Sequence, residues 1–122
     1  MSESRPADYL GHMQQAAVDA CGFVEGMARE EFLQDKRTQQ AVIMSLIIIG
    51  EAATKLMDGH PGFVQDHANL PWRSMRGMRN RMAHGYFDIN LDLVWDTVQR
   101  ALPEMLGQLQ SLRGGTDGPG SG

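Results

Sequence analysis

The stretch TQQAVIMSLIIIGEAATKLM, residues 38–57, predicts a long helix that is apolar on nearly all of its sides. The segment AVIMSLIII at 41–49 carries no charge, so the helix needs neighbours around most of its surface. We therefore expect it at the centre of a helical bundle or at an interface. The uncharged segment is about half as long as a membrane span requires, so no membrane association is expected.

Another helix, the first in the chain, is predicted to begin near Pro6 and to run to about residue 27, because its apolar residues alternate at spacings of three and four. This stripe consists of Leu10, Met13, Ala17, Ala20, Val24 and Met27. Ser4 and Pro6 lie at the start of the helix, where a capping hydroxyl and a residue without a backbone donor are favoured. Asp8 lies in its first turn, at the positive end of the helix dipole.

Two more helices follow a connector at 58–71, which can hold at most a short helix. The third helix is expected at 71–83, with Gly85 in the left-handed conformation that commonly ends helices. The fourth is expected from Asn90 to Leu112. Pro103 should kink it, because proline cannot donate a hydrogen bond to the carbonyl four residues earlier.

The expected fold is an all-α, antiparallel four-helix bundle with one short extra helix, formed by residues 1–112. Residues 113–122, RGGTDGPGSG, are rich in glycine and predict a disordered tail. A chain of 122 residues is too short for two cores. Its single cysteine excludes a disulfide scaffold, and with no apolar signal segment at the start we expect a cytoplasmic protein.

The charges along the chain are segregated. The net charge is −4, yet no Asp or Glu occurs between His67 and Phe87. This acid-free stretch contains the four arginines Arg73, Arg76, Arg79 and Arg81. Guanidinium groups bind phosphates in bidentate fashion, so the stretch can hold a phosphodiester backbone. A solvated helix face without function is the alternative.

Within that stretch, Arg79, Asn80, His84 and Tyr86 combine a phosphate-binding group with a side chain that transfers protons near neutral pH. On an ideal helix Arg79 and His84 are about 140° apart, whereas Asn80 and His84 are neighbours. Either the helix ends before His84 and a loop turns it back, or the cleft forms between two copies. A purely structural role stays open as well, with His84 capping the helix and Tyr86 half-buried.

These residues resemble the signature of the HEPN superfamily and, within it, the HepT-type toxins of prokaryotic toxin–antitoxin modules. The matching residues are Arg79, the polar Asn80, His84 and Tyr86. The resemblance extends over nearly the whole chain except the tail. Further similar segments are IIGEAA at 48–53, Trp72, GMRN at 77–80, Tyr86 with Phe87, VW at 94–95 and LP at 102–103.

The resemblance implies a homodimeric endoribonuclease that cleaves RNA without a metal, in a cleft shared by the Arg and His of both copies. In that role Arg79 binds the scissile phosphate and His84 is the general acid or base, while Asn80 orients His84 or the phosphate. The HepT-type partner is an MntA-type nucleotidyltransferase antitoxin that transfers AMP to the tyrosine, here Tyr86. Such type VII modules silence the toxin by this AMPylation.

Other assignments come from charge alone. Arg73, Arg76 and Arg81 are expected as outer RNA-binding residues. Glu51, on the otherwise apolar helix, is expected to form a structural ion pair with an arginine of the third helix.

Neither a metal nor a cofactor is expected. The alternative function is a non-catalytic helical HEPN module that binds a nucleotide or a protein.

Overall fold

A computed structural model of the protein describes residues 5–117, and the secondary structure in this range is all helical, as predicted. Its α-helices are α1 (Pro6–Phe23), α2 (Arg29–Leu33), α3 (Lys36–Gly59), α4 (Pro61–Asp66), α5 (Trp72–His84), α6 (Leu91–Asp96) and α7 (Leu102–Asp117). A 3₁₀ turn covers Tyr86–Asp88, and a π-helical segment at Thr97–Ala101 joins α6 to α7.

The long apolar helix α3 lies at the centre. It packs against both α1 and α5, while α7 packs against α1. Tyr9 near the start of α1 lies beside His60 at the end of α3, with 6.5 Å between ring centroids. Tyr86, just after α5, contacts Gln40 near the start of α3. These pairs confirm the antiparallel bundle.

The apolar stripes form one core. Among its members are Leu10, Met13, Ala17, Ala20 and Val24, which lie on the stripe predicted for the first helix. The third and fourth predicted helices contribute Met75, Met78, Met82, Val98, Leu102, Met105 and Leu109. Within residues 5–117, α3 is also the one helix whose length and mean hydropathy would suffice to cross a membrane. Half of that stretch is buried inside the bundle, as a central core helix requires.

The first helix ends earlier than expected. It stops at Phe23 rather than near residue 27, because the chain turns at Gly26, where φ is +77°. The unexpected short helix α2 follows this turn. At the start of α1 the backbone N–H of Arg5 donates to the Asp8 carboxylate at 3.0 Å. The cap predicted at Ser4 lies outside the described residues.

The start of α3 is fixed by Asp35. Its carboxylate accepts hydrogen bonds from the backbone N–H of Thr38 at 3.0 Å and from the Thr38 hydroxyl at 2.8 Å. These bonds stabilise the charged form and lower the pKa of Asp35. The first turn of the central helix is thereby capped.

The end of α5 differs from the prediction. Gly85 has φ −116°, so the left-handed cap expected there is wrong. Instead its carbonyl accepts from the N–H of Asp88, and the chain enters the 3₁₀ turn directly. The helix begins at Trp72, with Pro71 as the residue before it.

The fourth predicted helix begins after Asn90, whose side chain caps it as expected. Upstream of Pro103 the backbone changes to π-helical bonding, with the N–H of Leu102 donating to the Thr97 carbonyl. This π-helical bonding pattern accommodates Pro103, which has no backbone N–H to donate. The helix then continues to Asp117, past the expected end at Leu112; residues 118–122 of the predicted tail lie outside the described residues.

Candidate active site

The site is built on a close contact between α3 and α5, and Gly50 makes this contact possible. A Cβ at position 50 would lie 2.3 Å from the Arg79 Cβ and 2.6 Å from the Met75 carbonyl oxygen. Real side-chain carbons do not approach so closely, so only glycine fits here. The base of the Arg79 side chain therefore rests directly on the α3 backbone.

The guanidinium of Arg79 is held by α3. Its Nη2 donates to the Thr54 hydroxyl at 3.0 Å, and its Nε lies 3.6 Å from Glu51 Oε1. The Nε atom is buried and makes no hydrogen bond within residues 5–117. The ion pair expected between Glu51 and an arginine of this helix is thus with Arg79, although half of the Glu51 side chain is exposed and Lys55 also lies near it.

Arg76 lies one turn before Arg79 and is likewise paired with α3. Its Nη2 donates to the Asp58 carboxylate at 2.6 Å, and its Nε lies 3.4 Å from the Thr54 hydroxyl. Thr54 therefore accepts from two guanidinium groups. Because Asp58 compensates the charge of Arg76, this arginine has less charge to offer RNA than the sequence alone suggests.

The opposite face of α5 is exposed. At about 100° per residue, Arg73, Asn80 and His84 fall within about 40° of one another, at the centre of this face. All three are exposed, as is Arg81 on the flank of the same face. Neither Arg73 nor Arg81 forms an ion pair among the described residues. We call Arg73, Asn80, Arg81 and His84 the exposed face of α5.

Arg79 and His84 lie on different sides of one helix. Because α5 remains α-helical through His84, the two side chains are separated by about 140° around its axis. The alternative in which a loop turns His84 back within the same copy is wrong. The other alternative, a cleft between two copies, stays a prediction.

Tyr86 lies on the 3₁₀ turn that follows His84. Its side chain is 47% exposed, and its hydroxyl accepts a hydrogen bond from Gln40 Nε2 at 3.2 Å. The Phe87 ring meets the Tyr86 ring edge to face at 5.8 Å. The phenol oxygen is thus held at the surface, near the end of α5 that carries His84.

Three residues of the site were not assigned a role from the sequence. Gly50 interrupts an apolar helix, which is itself a signal of close backbone approach. Thr54 lies four residues after Gly50 and therefore on the same helix face, so its contact with the partner helix could have been inferred. Gln40, the partner of Tyr86, carries no such signal, because the pairing depends on the 3₁₀ turn.

Potential metal ligands are scattered. Within residues 5–117 no three His, Cys, Asp or Glu side chains converge as a metal site requires. The chemistry that the described side chains can supply is phosphate binding by guanidinium groups and proton transfer by imidazole.

An all-helical bundle that carries Arg79, Asn80 and His84 on one helix, and Tyr86 on the turn after it, is a domain of the HEPN class. The family model described as "Ribonuclease HepT-like" matches residues 13–112. The chain belongs to this HepT-like ribonuclease family.

Relatives with similar sequences span nearly the same length. "Probable ribonuclease HepT" of Thermococcus cleftensis is 37% identical over 106 residues, which cover 87% of this chain and 94% of that protein. "Putative RNase MJ0127" of Methanocaldococcus jannaschii is 35% identical, covering 85% of this chain and 84% of the relative. No solved structure matches the chain significantly.

Proposed function

We propose that this protein is a metal-independent endoribonuclease, the toxin of a type VII toxin–antitoxin module, and acts in the cytoplasm as a homodimer with a composite active site. Family membership supports RNA as the substrate. The geometry of α5 supports the dimer. Since Arg79 lies at the contact with α3 and His84 on the exposed face, a single copy cannot direct both at one phosphate.

In the proposed reaction an imidazole of His84 removes the proton of a ribose 2′-hydroxyl. The 2′-oxygen attacks the adjacent phosphorus, the P–O2′ bond forms and the P–O5′ bond breaks. The His84 imidazole of the second copy, in its protonated form, donates a proton to the leaving 5′-oxygen. Arg79 stabilises the charge that develops on the phosphate oxygens, and Asn80, one turn from His84, orients the imidazole or the phosphate.

Tyr86 is the proposed site of control. An MntA-type nucleotidyltransferase would attach AMP to its hydroxyl, which is held at the surface by Gln40. The product carries an anionic phosphate and a bulky nucleoside near the end of α5. RNA would then be repelled by charge and blocked by volume.

Cleavage of RNA in the presence of EDTA tests the reaction. We expect the wild type to cleave and His84→Ala to be at least 100-fold slower, the usual contribution of a general acid or base. Equal rates for both proteins, or loss of wild-type activity on chelation, would refute the mechanism.

Mixing wild type with His84→Ala tests the composite site. At equal concentrations and after subunit exchange, the mixture should keep about a quarter of the activity of the same total amount of wild-type protein, because only about one dimer in four carries two His84 imidazoles. A mixture that keeps about half of the activity, although sedimentation shows that dimers have exchanged, argues for a site within one copy.

A non-catalytic binding module is the second candidate. The exposure of Asn80 and His84 side by side suits docking of a nucleotide or a protein as well as catalysis. Co-expression with the nucleotidyltransferase separates the two candidates when it is followed by intact mass measurement. AMP additions that vanish in Tyr86→Phe favour the toxin, whereas partner binding without RNA cleavage or modification favours the module.

A further inference from the structure

Phe87 is the most exposed large apolar side chain among the described residues, at 97%. It lies three residues after His84, on the 3₁₀ turn. It meets the Tyr86 ring edge to face with 5.8 Å between ring centroids, and the Tyr86 hydroxyl accepts a hydrogen bond from Gln40. An aromatic ring that is almost fully exposed beside a second ring offers a flat ligand a surface to stack on.

A groove of about 260 Å³ lies against this ring, between the turn and the first turns of α3. Its polar lining consists of Lys36, Gln39, Gln40 and the Tyr86 hydroxyl, with no carboxylate. Lys36 is exposed and forms no ion pair in the described part of the chain. Asp88, the acid nearest in sequence to Phe87, lines a different groove together with Arg81.

We propose that this groove binds one unpaired nucleotide of the RNA, next to the phosphate that is cleaved. The base stacks on Phe87, and Lys36 contacts a flanking phosphate. The side-chain amide oxygens of Gln39 and Gln40 lie at the edge of the base, since both amide nitrogens already donate to the Phe32 carbonyl and the Tyr86 hydroxyl. The inference rests on the proposed function, since it places the RNA strand that His84 acts on.

The charge of the groove favours RNA over a second copy of the chain as the molecule that binds there. The groove is lined by one cation, Lys36, which has no ion-pair partner among residues 5–117, and by no carboxylate. Stacking also needs a base face that is not covered by neighbouring base pairs. The groove therefore selects single-stranded RNA over a duplex.

Binding of uncleavable RNA tests the inference. The parent protein is His84→Ala, and the probe is a 2′-O-methyl oligoadenylate of about ten nucleotides, with a 2′-O-methyl hairpin for comparison. We expect Phe87→Leu to weaken binding of the oligoadenylate at least about fivefold, Phe87→Trp to preserve it, and the hairpin affinity to change little. Phe23→Leu, the same change at an exposed ring on α1, is the matched control and should have no effect.

Equal affinity of Phe87→Leu and the parent for the oligoadenylate would overturn the inference, and wild-type cleavage would still support the proposed function. Loss of the dimer in Phe87→Leu, measured by sedimentation, would overturn it too, because the ring would then serve a second copy. Binding that depends on Phe87 in a protein whose wild type cleaves no RNA would support the groove and refute the ribonuclease. Melting curves of all variants exclude unfolding as the cause.

Discussion

Both sides of α5 carry arginines, but the arginines on one side are paired with other side chains and those on the other side are exposed. On the side that faces α3, Arg76 and Arg79 are partly buried and held by Asp58, Thr54 and Glu51. On the exposed face, the arginines have no carboxylate partner among the residues described. A held guanidinium has its orientation fixed before a ligand arrives, whereas a free one contributes charge alone. We therefore expect the arginines of the first side to act in catalysis and those of the second to contribute affinity.

The largest effect should come from removing the held guanidinium. Arg79→Ala is expected to lower the rate of RNA cleavage about 100- to 1000-fold, the loss typical of a group that stabilises transition-state charge. Arg79→Lys should not restore the rate, because lysine cannot reproduce the planar set of donors. Arg73→Ala, on the exposed face, should lower it only a few-fold. An equal loss in Arg73→Ala would break the distinction between the two sides.

A substitution at Gly50, where the base of the Arg79 side chain contacts α3, should have nearly as large an effect. Gly50→Ala introduces a Cβ that would lie 2.3 Å from the Arg79 Cβ, so α3 and α5 must move apart. We expect the free energy of unfolding to fall by about 2 to 3 kcal/mol, as for other overpacked sites, and cleavage to slow as Arg79 shifts. Chemical denaturation measures the first effect.

Gly22→Ala is the matched control for this substitution. Position 22 is also helical, but a Cβ there meets nothing within 4 Å. Relief of the glycine penalty in α1 should leave stability unchanged or raise it by about 0.5 kcal/mol. If Gly50→Ala and Gly22→Ala change the free energy of unfolding equally, the close approach of the helices at Gly50 does not contribute to stability.

Thr54 should act through Arg79 as a positioning residue. Thr54→Val keeps the shape of the side chain but removes the oxygen that accepts from Arg76 and Arg79. We expect kcat to fall about tenfold with little change in KM, and Thr54→Ser to restore it, because serine keeps the hydroxyl. Melting temperatures of the three proteins should be similar. If kcat and KM instead change together, in step with a loss of stability, Thr54 has a structural role alone.

Most of the fold and the ion pair of Glu51 could be predicted from the sequence, but not which arginines of α5 are paired and which are not. Apolar spacing located the long helices, because burial of Leu10, Met78 or Leu109 depends on local periodicity. Arg76 and Arg73 look alike in sequence, since both lie in the acid-free stretch. Only the packing of α5 on α3 brings Asp58 to Arg76, whereas Arg73 has no ion-pair partner among residues 5–117.

The same limit applies to the ends of the helices. Glycine at 85 fits a left-handed cap, yet the next residues continue into a 3₁₀ turn, and the left-handed position is at Gly26 instead. Local propensity could not decide between them, because tertiary contacts such as that of Tyr86 with Gln40 fix the turn. The position of Phe87, and with it the groove, depends on this turn.

The smallest expected effect is on the salt dependence of RNA binding, which should differ between variants of the two sides of α5. Binding of single-stranded RNA weakens with salt in proportion to the number of phosphates neutralised, and each contact contributes about 0.7 to the logarithmic slope. Arg73→Ala and Arg81→Ala should each reduce the slope by up to that amount, with a loss of affinity of only a few-fold. Arg76→Ala should leave it nearly unchanged, because Asp58 already neutralises this arginine. A reduced slope in Arg76→Ala would mean that RNA displaces Asp58, and the side facing α3 would then belong to the binding surface as well.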